Sequence, residues 1–264
     1  MQLKVSGTGR RVVAAAGVLA VATAGAVIAR ADDQGARAAQ TSGGLAVSPA
    51  TIERAAAAGA ANVVTVANNS REALTVSVKA RPWTQSSSGL ASPNRRRSLA
   101  GVTVSEGSFT LAAGAKRDVT VTLGGAPAGG SLYGALEFVG LPRTAATRKG
   151  VVAGYRLIGA LRYNPATPTY ALTSAAAKVS KGTIVLPVRS TGNTAEPVTG
   201  TVRVRGPLGT RQGSIKETRI LPGKRVSLPL ASTKGLTAGS YTATVSLRQG
   251  SKRFNVSKRI TVRR

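Results

Sequence analysis

The sequence predicts an all-β protein built from two tandem β-sandwiches, and three observations lead to this fold class. Apolar and polar residues alternate over short stretches, which is the pattern of half-buried strands. The 31 Gly and 12 Pro residues are spread among these stretches and mark turns at regular spacing. No convincing helical periodicity interrupts the series. A chain of 264 residues can bury one large core or two ordinary ones.

The clearest predicted strands form a pair between Ala61 and Trp83. Apolar residues occupy every second position in both strands, and most of them are β-branched. These positions are Val64, Val66, Leu74, Val76 and Val78. The polar link from Asn68 to Glu72 supplies side chains that tolerate turn geometry and hydrogen-bond their own backbone. The pattern predicts two adjacent strands of one sandwich.

Further short strands are predicted on either side of this pair. They are expected at Leu45–Pro49, Gly101–Val104, Ser108–Leu111, Asp118–Leu123, Leu132–Phe138 and Val151–Tyr163. The Ala-rich segment Glu53–Ala61 is predicted to be a loop ending in Gly59, with a short helix as the alternative that its composition allows. The polar stretch Gln85–Ser98 is predicted to be a mobile loop. About seven short strands in about 120 residues are typical of an immunoglobulin-like sandwich.

The second half of the chain follows the same plan after a stiff, extended linker at Asn164–Thr169. Leu221–Val226 echoes Leu111–Arg117, because in both a Gly turn leads into a basic and then apolar strand. Gly239–Ala243 echoes Gly130–Ala135, because in both a Gly-Ser pair opens a strand that carries Tyr. The likeness predicts a second immunoglobulin-like sandwich.

The predicted organisation has five parts. They are a signal peptide at 1–31, a flexible leader at 32–44, a first sandwich at 45–165, a linker at 166–173 and a second sandwich at 174–264. In the last strand of the second sandwich, Lys258 interrupts an apolar face, and a β-bulge is expected there.

The N-terminus carries the signal for export. Basic residues precede an uncharged Ala/Val/Gly run at Val12–Ile28, and Ala29-Arg30-Ala31 presents small residues where a signal peptidase reads them. Cleavage after Ala31 and a secreted or cell-envelope location are therefore predicted. The alternative is an uncleaved anchor helix, since the run approaches the length that a bilayer needs. Attachment to a membrane is predicted only if this segment is not cleaved.

The charge balance is strongly basic. The chain has 37 Lys and Arg against 9 Asp and Glu, a net charge of +28 that falls to +24 after the predicted cleavage. Residues 174–264 carry 18 basic against 2 acidic residues, whereas residues 45–165 carry 14 against 5. A field of this sign attracts polyanions. Export and the 3% aromatic content argue against nucleic acid. The polyanions available outside a cell membrane are anionic wall polymers, acidic glycans and lipid head groups.

Seven basic residues are predicted to contact such a polyanion. They are Arg95, Arg96, Arg97, Arg203, Arg205, Lys252 and Arg253. The alternative interpretation is that the charge only keeps the protein soluble.

The residues needed for common catalytic chemistry are absent. The sequence contains no His and no Cys, which excludes the commonest general base, metal ligand and thiol nucleophile. The nine carboxylates show no suggestive spacing, and Glu137 is expected on the outer face of an alternating strand. Neither a phosphate-binding Gly loop nor a nucleophile elbow is present. No enzymatic activity, cofactor or metal is predicted.

Six short segments of the first half follow one another in a recognisable order. They are Val47-Ser48-Pro49, a strand ending at Ser70, a strand followed by Trp83, Leu111-x-x-Gly114-x-Lys116, Leu132-Tyr133-x-x-Leu136 and Arg162-Tyr163-Asn164-Pro165. Together they resemble the N-terminal domain of periplasmic pilus chaperones, over about residues 45–165. The same plan is similar to Gram-positive surface proteins that partner WxL proteins.

The resemblance implies a way of binding other proteins. Pilus chaperones hold a subunit's C-terminal carboxylate with an Arg of the first strand and a Lys of the last strand, and the last strand completes the subunit's sheet. In this chain the Arg position falls near Glu53 or Arg54, and the Lys position falls on Ala160. The candidate residues for contact with a partner are Arg54, Val151, Ala153, Tyr155 and Leu157.

Trp83, the only Trp, is a further candidate for contact with a partner. The alternative is that it covers the rim of the core at the end of the sandwich.

Taken together, these features predict an exported, non-enzymatic protein of the cell envelope. Its predicted partners are other surface or secreted proteins and anionic wall polymers. The alternative function is that of a periplasmic-type chaperone that assembles pilus or other secreted subunits.

Overall fold

A computed structural model describes residues 44–207 and 209–263 of the chain. These residues form β-strands and one short 3-10 helix at Ala145–Thr147, which confirms the predicted all-β class. The predicted signal peptide and, except for Gly44, the predicted leader lie outside this part of the chain. Among the residues that the model describes, no helix has the length and apolar character needed to cross a membrane.

The first sandwich contains ten strands. They are β1 (Leu45–Ser48), β2 (Thr51–Ala55), β3 (Ala61–Asn68), β4 (Leu74–Gln85), β5 (Ala91–Pro93), β6 (Val102–Val104), β7 (Ser108–Leu111), β8 (Lys116–Leu123), β9 (Leu132–Pro142) and β10 (Tyr155–Asn164). One sheet has the order β1-β3-β8-β6. The other has the order β2-β10-β9-β4-β5, with β7 also paired to β4. The predicted strand pair is β3 and β4, which lie in opposite sheets rather than side by side.

The beginning of the first sandwich passes from one sheet to the other. β1 pairs with β3 in antiparallel orientation, and β2 pairs with β10 in parallel orientation. The predicted loop at Glu53–Ala61 is therefore wrong at its start, because Glu53 belongs to β2 and pairs with Arg162 of β10. The turn before β3 does contain Gly59, whose φ of +74° favours glycine.

The core of the first sandwich consists mainly of Val and Leu from the alternating strands. The predicted apolar positions of β3 and β4 are all buried: Val64, Val66, Leu74, Val76 and Val78. Aromatic residues contribute at a few central positions, where Phe138 and Tyr163 are fully buried. The alternation in the sequence therefore identified the side chains that drive formation of this core.

The second sandwich contains eight strands. They are β11 (Leu172–Ser174), β12 (Lys178–Ser180), β13 (Thr183–Ser190), β14 (Pro197–Gly206), β15 (Gly209–Arg219), β16 (Arg225–Ser232), β17 (Gly239–Gln249) and β18 (Lys252–Val262). One sheet joins β11, β12 and β16 to β13, and the other has the order β15-β14-β17-β18. A second cluster of buried Val, Leu and Ile lies between them.

The predicted internal repeat appears in the backbone. Gly114 N–H donates to the Asn68 carbonyl at 2.8 Å, and Gly223 N–H donates to the Ser190 carbonyl at 2.9 Å. In return, Asn68 N–H donates to Ala115 at 2.9 Å. Likewise, Ser190 N–H donates to Lys224 at 3.0 Å. Both turns therefore close the end of an equivalent strand in the same way.

The second predicted match is only partial. Tyr241 is 3% exposed in the core of the second sandwich, and its hydroxyl donates to the Thr237 carbonyl at 2.9 Å. Tyr133 lies one position later in its strand and therefore faces away from the core, beside Arg162 of β10. The residue equivalent to Tyr241 is Leu132, because each follows the Gly-Ser pair directly.

Two further local predictions differ from the structure. The stretch Gln85–Ser98 contains β5, which pairs with the end of β4, so it is a hairpin rather than an irregular loop. Lys258 lies in a regular ladder between β17 and β18, with Ala243 as its partner, so no bulge occurs there. Its long side chain at a sheet edge can leave the apolar face without one.

Candidate functional site

The first candidate site is the open edge of β10, defined as the side of residues Tyr155–Gly159 that faces away from β9. β9 pairs with β10 from Tyr155 to Tyr163. β2 covers the other side of β10 only from Ala160 to Asn164. Across the described ranges, no strand pairs with Tyr155–Gly159 on that side. Within the described residues, the first half of β10 therefore has an unpaired backbone edge of the kind to which another strand can add.

The backbone groups that face the open edge can be identified. Ala160 N–H donates to the Ala50 carbonyl at 2.9 Å, so it points away from β9. Main-chain groups of every second residue point to the same side of a strand. The N–H and C=O groups of Arg156 and Ile158 therefore face the open edge.

The side chains near this edge differ in their accessibility. Val151 is fully exposed and Ala153 is exposed, but both precede β10, which begins at Tyr155 and not at Val151 as predicted. Tyr155 is half-buried and its ring packs directly against Gly44. Leu157 is 8% exposed and belongs to the core of the first sandwich. The side chain of Leu157 is therefore not accessible to a partner in this structure.

The outer face of the first sandwich, formed by β2, β10, β9 and β4, carries a compact ionic cluster. Glu137 of β9 is 6% exposed, although it faces away from the core as predicted. Arg156 Nε lies 2.7 Å and Arg95 Nε 3.4 Å from Glu137 Oε1, and Arg81 Nε lies 3.1 Å from Oε2. Burial alone would raise the pKa of Glu137, but the hydrogen bonds and charges of Arg156 and Arg81 outweigh it and lower the pKa.

A second polar cluster lies where the outer face meets the second sandwich. Arg162 Nη1 of β10 lies 3.0 Å from Glu53 Oε2, and Asn164 Nδ2 donates to Glu53 Oε1 at 2.9 Å. Tyr133 hydroxyl donates to Asn164 Oδ1 at 3.2 Å and accepts from Ala195 N–H at 3.1 Å. This network joins the first sandwich to the second, and we call its location the seam.

The charges at the seam influence one another. Burial would raise the pKa of Glu53, but hydrogen bonds from Asn164 and Arg162 and the charges of Arg162 and Arg219 lower it. Burial lowers the pKa of Arg219, and the charge of Arg162 adds to this effect. Arg162 therefore forms the direct ion pair with Glu53, and Arg219 acts on the same carboxylate only through its charge.

Two predicted partner-binding residues lie away from the open edge. Arg54 is exposed on β2 and donates from Nε to Asn62 Oδ1 at 3.1 Å. It lines a polar depression of about 290 Å³ between β2 and β3. Trp83 lies opposite Pro93 in the β4–β5 hairpin, is half-buried and is part of neither buried cluster. The structure does not bring Arg54, Trp83 and the open edge together.

The predicted polyanion-binding residues fall into two separate groups. Arg95, Arg96 and Arg97 follow β5 in the first sandwich and are exposed, although Arg95 reaches Glu137. Arg203, Arg205, Lys252 and Arg253 are exposed on strands β14 and β18 of the second sandwich. Lys252 Nζ lies 5.7 Å from the centre of the Phe254 ring.

Sequence reasoning missed Arg81, Arg156 and Arg162 as residues of the outer face. Each is next to a buried apolar residue in its strand, so the alternation of inward and outward positions could have predicted that its side chain lies on the outer face. Their convergence on Glu137 and Glu53 depends on strand pairing, which the sequence does not reveal. Within residues 44–207 and 209–263, no group of acidic side chains could hold a metal ion.

Comparison with known proteins gives a fold likeness. No protein-family model and no curated protein matches the sequence. A chain from a chaperone–tip adhesin complex, described as vital for synergistic activation of CFA/I fimbriae biogenesis, matches with a TM-score of 0.53 and 12% identity. The class 5 fimbriae chaperone CfaA matches with a TM-score of 0.50 and 13% identity. Each match covers 81% of this chain and 98% of the other chain.

At this level of identity, the likeness concerns the fold. It confirms the immunoglobulin-like class and the predicted resemblance to pilus chaperones. The predicted resemblance covered residues 45–165, which is less than half of the chain, whereas the matches cover 81% of it. The likeness therefore extends into the second sandwich. The resemblance to partners of WxL proteins stays a prediction.

Proposed function

We propose that this protein is an extracytoplasmic chaperone-like protein that binds secreted subunits by pairing one of their strands with the open edge of β10. The proposal depends on one observation. β2 pairs only with Ala160–Asn164 of β10, so Tyr155–Gly159 have no neighbouring strand on that side among the described residues. Support comes from the fold likeness to two structures described as fimbrial chaperone structures. The predicted signal peptide supports an extracytoplasmic location.

Strand addition needs unpaired backbone groups at an accessible edge. Arg156 and Ile158 offer an N–H and a C=O each on the open side. Ile158 is only half-buried and lies on the outer face, beside Glu137 in the neighbouring strand. The segment Val151–Gly154 lies directly before β10 and supplies the exposed Val151 and the half-buried Val152 for contact with an apolar strand. Backbone pairing would provide affinity, and these side chains would provide selectivity.

The binding mode differs from that implied by the residue-level resemblance. Ala160 occupies the position of the expected Lys, and its backbone is already bonded to Ala50. Near the end of β10, Arg162 instead pairs with Glu53 at 3.0 Å, and the charge of Arg219 also acts on this carboxylate. The proposal therefore rests on the backbone edge and not on a pair of charged anchor residues.

The proposal is tested with a matched pair of substitutions at Ile158. Ile158→Pro removes the N–H that faces the open edge, whereas Ile158→Ala shortens the side chain but keeps that N–H. The full-length protein and both variants are produced in the native host and captured from the envelope at high salt. We expect Ile158→Pro to lower subunit recovery at least about tenfold, because a lost main-chain bond and the proline ring both oppose pairing. Ile158→Ala should stay within about threefold of the wild type.

Hydrogen exchange on the recovered complex provides the direct readout. The amides of Arg156 and Ile158 should exchange quickly in the free protein and slowly in the complex. Equal recovery with Ile158→Pro, or protection confined to other strands, contradicts the proposal. Circular dichroism and the unfolding midpoint show whether each variant is folded before it is tested.

A further inference from the structure

The second sandwich presents a basic surface that the proposed chaperone function does not use. We call it the basic face and define it as the outer surface of the sheet β15-β14-β17-β18. Its guanidinium groups belong to five exposed residues on three adjacent strands. They are Arg203, Arg205, Arg248, Arg253 and Arg259. Each of the five is next to at least one apolar residue that packs in the core of the second sandwich.

Strand register arranges these groups into two clusters. Arg205 and Arg259 flank Thr242 in one row across the sheet, and Arg203 lies two residues from Arg205 on the same strand. Arg248 and Arg253 are direct partners across β17 and β18. Successive outward positions on one strand are about 7 Å apart, and neighbouring strands are about 5 Å apart. The guanidinium groups can therefore reach several anionic groups of one extended chain at the same time.

The basic face has almost no negative charge of its own. Strands β14, β17 and β18 contain no Asp or Glu. The one carboxylate of β15 is Glu217, which lies where the register of β15 shifts, next to Arg219 at the seam. In the part of the chain that the structure describes, none of the five arginines forms an ion pair. Their charge is therefore available to a ligand.

Hydroxyl and amide side chains fill the positions between the arginines. They are Thr199, Thr201, Thr242, Thr244, Ser246, Asn255 and Ser257, all on the outward side of their strands. Each lies among the described residues, and none of their side chains has a hydrogen-bond partner there. These groups can both donate and accept, as the hydroxyl groups of a polyol require.

In strands β14, β15, β17 and β18, no aromatic side chain lies on the basic face. The aromatic residues of these strands, Tyr241 and Phe254, lie on the inward side. Stacking on aromatic side chains is a major source of affinity for bases of single-stranded nucleic acid. Arg, by contrast, binds phosphate oxygens in a bidentate manner. Arginines separated by hydroxyl and amide side chains, with no aromatic side chain between them, match an extended polymer without rings that carries repeating phosphates and hydroxyl groups.

We infer that the basic face is a binding surface for a linear polyol-phosphate polymer, a chain of acyclic polyol units joined by phosphodiesters. The guanidinium groups bind the phosphates, and the Thr, Ser and Asn side chains bind the hydroxyl groups between them. This binding is independent of the open edge of β10, which lies in the other sandwich. The protein can thereby stay near an anionic polymer while it engages a protein subunit.

The test compares two charge-matched triple variants of the full chain. One variant carries Arg203→Gln, Arg205→Gln and Arg259→Gln on the basic face. The control carries Lys178→Gln, Lys224→Gln and Lys234→Gln, which are exposed elsewhere in the second sandwich. Binding to poly(glycerol phosphate) is measured by calorimetry over a range of salt concentrations.

We expect the basic-face variant to bind at least about tenfold more weakly. Its plot of log K against log salt should lose about one unit of slope for each phosphate contact removed. The control should stay within about threefold of the wild type. Equal weakening of both variants overturns the proposal, because it shows that only net charge matters.

Two competitors test the class of ligand. Heparin and single-stranded DNA are added at equal concentrations of anionic groups. Weaker competition by both than by poly(glycerol phosphate) supports the proposed ligand. Equal or stronger competition by heparin or by single-stranded DNA overturns the assignment of the ligand as an acyclic polymer. Replacement of Arg203, Arg205 and Arg259 by Lys keeps the charge, so a loss of affinity in that variant supports bidentate binding of phosphate.

Discussion

Asn68 shows how one buried amide organises the first sandwich. It is fully buried, and its Nδ2 lies 2.8 Å from the Glu72 carbonyl and 3.0 Å from both the Leu111 and Ala112 carbonyls. Its Oδ1 accepts from the N–H and hydroxyl of Ser70. The side chain therefore links the β3–β4 turn to the end of β7. The equivalent residue in the second sandwich is Ser190, whose short side chain makes no such link.

Asn68→Ala should destabilise the protein strongly. The change leaves buried carbonyl groups without a donor, and each such group costs about 1–3 kcal/mol. We expect the free energy of unfolding to fall by about 3 kcal/mol, measured by urea denaturation. Asn69→Ala is the control, because Asn69 is exposed and uses its backbone N–H for bonding to Gly44. A fall of less than about 1 kcal/mol in Asn68→Ala contradicts this interpretation.

Glu137 is the second residue whose role depends on burial. Three arginines converge on it, so removal of its charge leaves Arg81 and Arg156 partly buried and mutually repulsive. We expect Glu137→Gln to lower the free energy of unfolding by roughly 3 kcal/mol at neutral pH.

The effect of Glu137 should also depend on pH. Its pKa in the folded state lies below the ordinary value of 4.5. Its contribution to stability is therefore complete above about pH 4.5 and is lost as the pH falls through the lowered pKa. The unfolding curves of the wild type and Glu137→Gln should converge in acid. A difference that stays constant down to about pH 2 argues against a charge effect.

The β4–β5 hairpin is an element that joins the two sandwiches directly. Gln85 Nε2 donates to the Arg219 carbonyl at 2.7 Å, and Gln85 Oε1 accepts from Leu221 N–H at 3.0 Å. Ser227 N–H donates to the Ser87 carbonyl at 2.7 Å. A segment predicted to be a mobile loop is therefore part of the contact between the sandwiches.

Gln85→Ala should weaken this contact. It removes two hydrogen bonds between the sandwiches, each with a net value of about 1 kcal/mol. We expect a loss of about 1–2 kcal/mol in urea denaturation and faster proteolysis between residues 164 and 172. Ser88→Ala lies in the same hairpin and should change neither quantity. Unchanged proteolysis in Gln85→Ala shows that other contacts are sufficient to join the sandwiches.

At the scale of the whole molecule, positive charge dominates. The net charge of +28 produces repulsion among basic groups that the six described ion pairs cannot balance. Salt screens exposed charges over about 10 Å at 0.1 M. Screening should therefore favour the folded state, in contrast to a protein that depends on surface ion pairs.

We expect the unfolding temperature to rise by a few degrees between about 0.02 M and 0.3 M NaCl. The variant with Gln at 178, 224 and 234 has three fewer charges, so its increase should be smaller. A decrease in the unfolding temperature with salt means that attractive ion pairs outweigh the repulsion. Thermal unfolding followed by circular dichroism decides between these outcomes.

The amino-acid sequence by itself determined the all-β class, the alternating core residues and the likeness of the two sandwiches. These properties follow from local periodicity, because one face of each strand must be buried. Local patterns also placed Arg203 and Arg205 on an outward face. They could not distinguish neighbours in one sheet from strands in opposite sheets, as β3 and β4 show.

The tertiary structure alone decided which groups meet and which edges stay free. Glu137 is buried by arginines from three different segments, so its environment depends on strand order and not on its neighbours in sequence. The open edge of β10 exists because β2 begins its pairing at Ala160, which only the register reveals. Pairing between distant strands is non-local, and it depends on the packing of the whole sandwich. The residues of the proposed sites could be named from the sequence, but their arrangement could not.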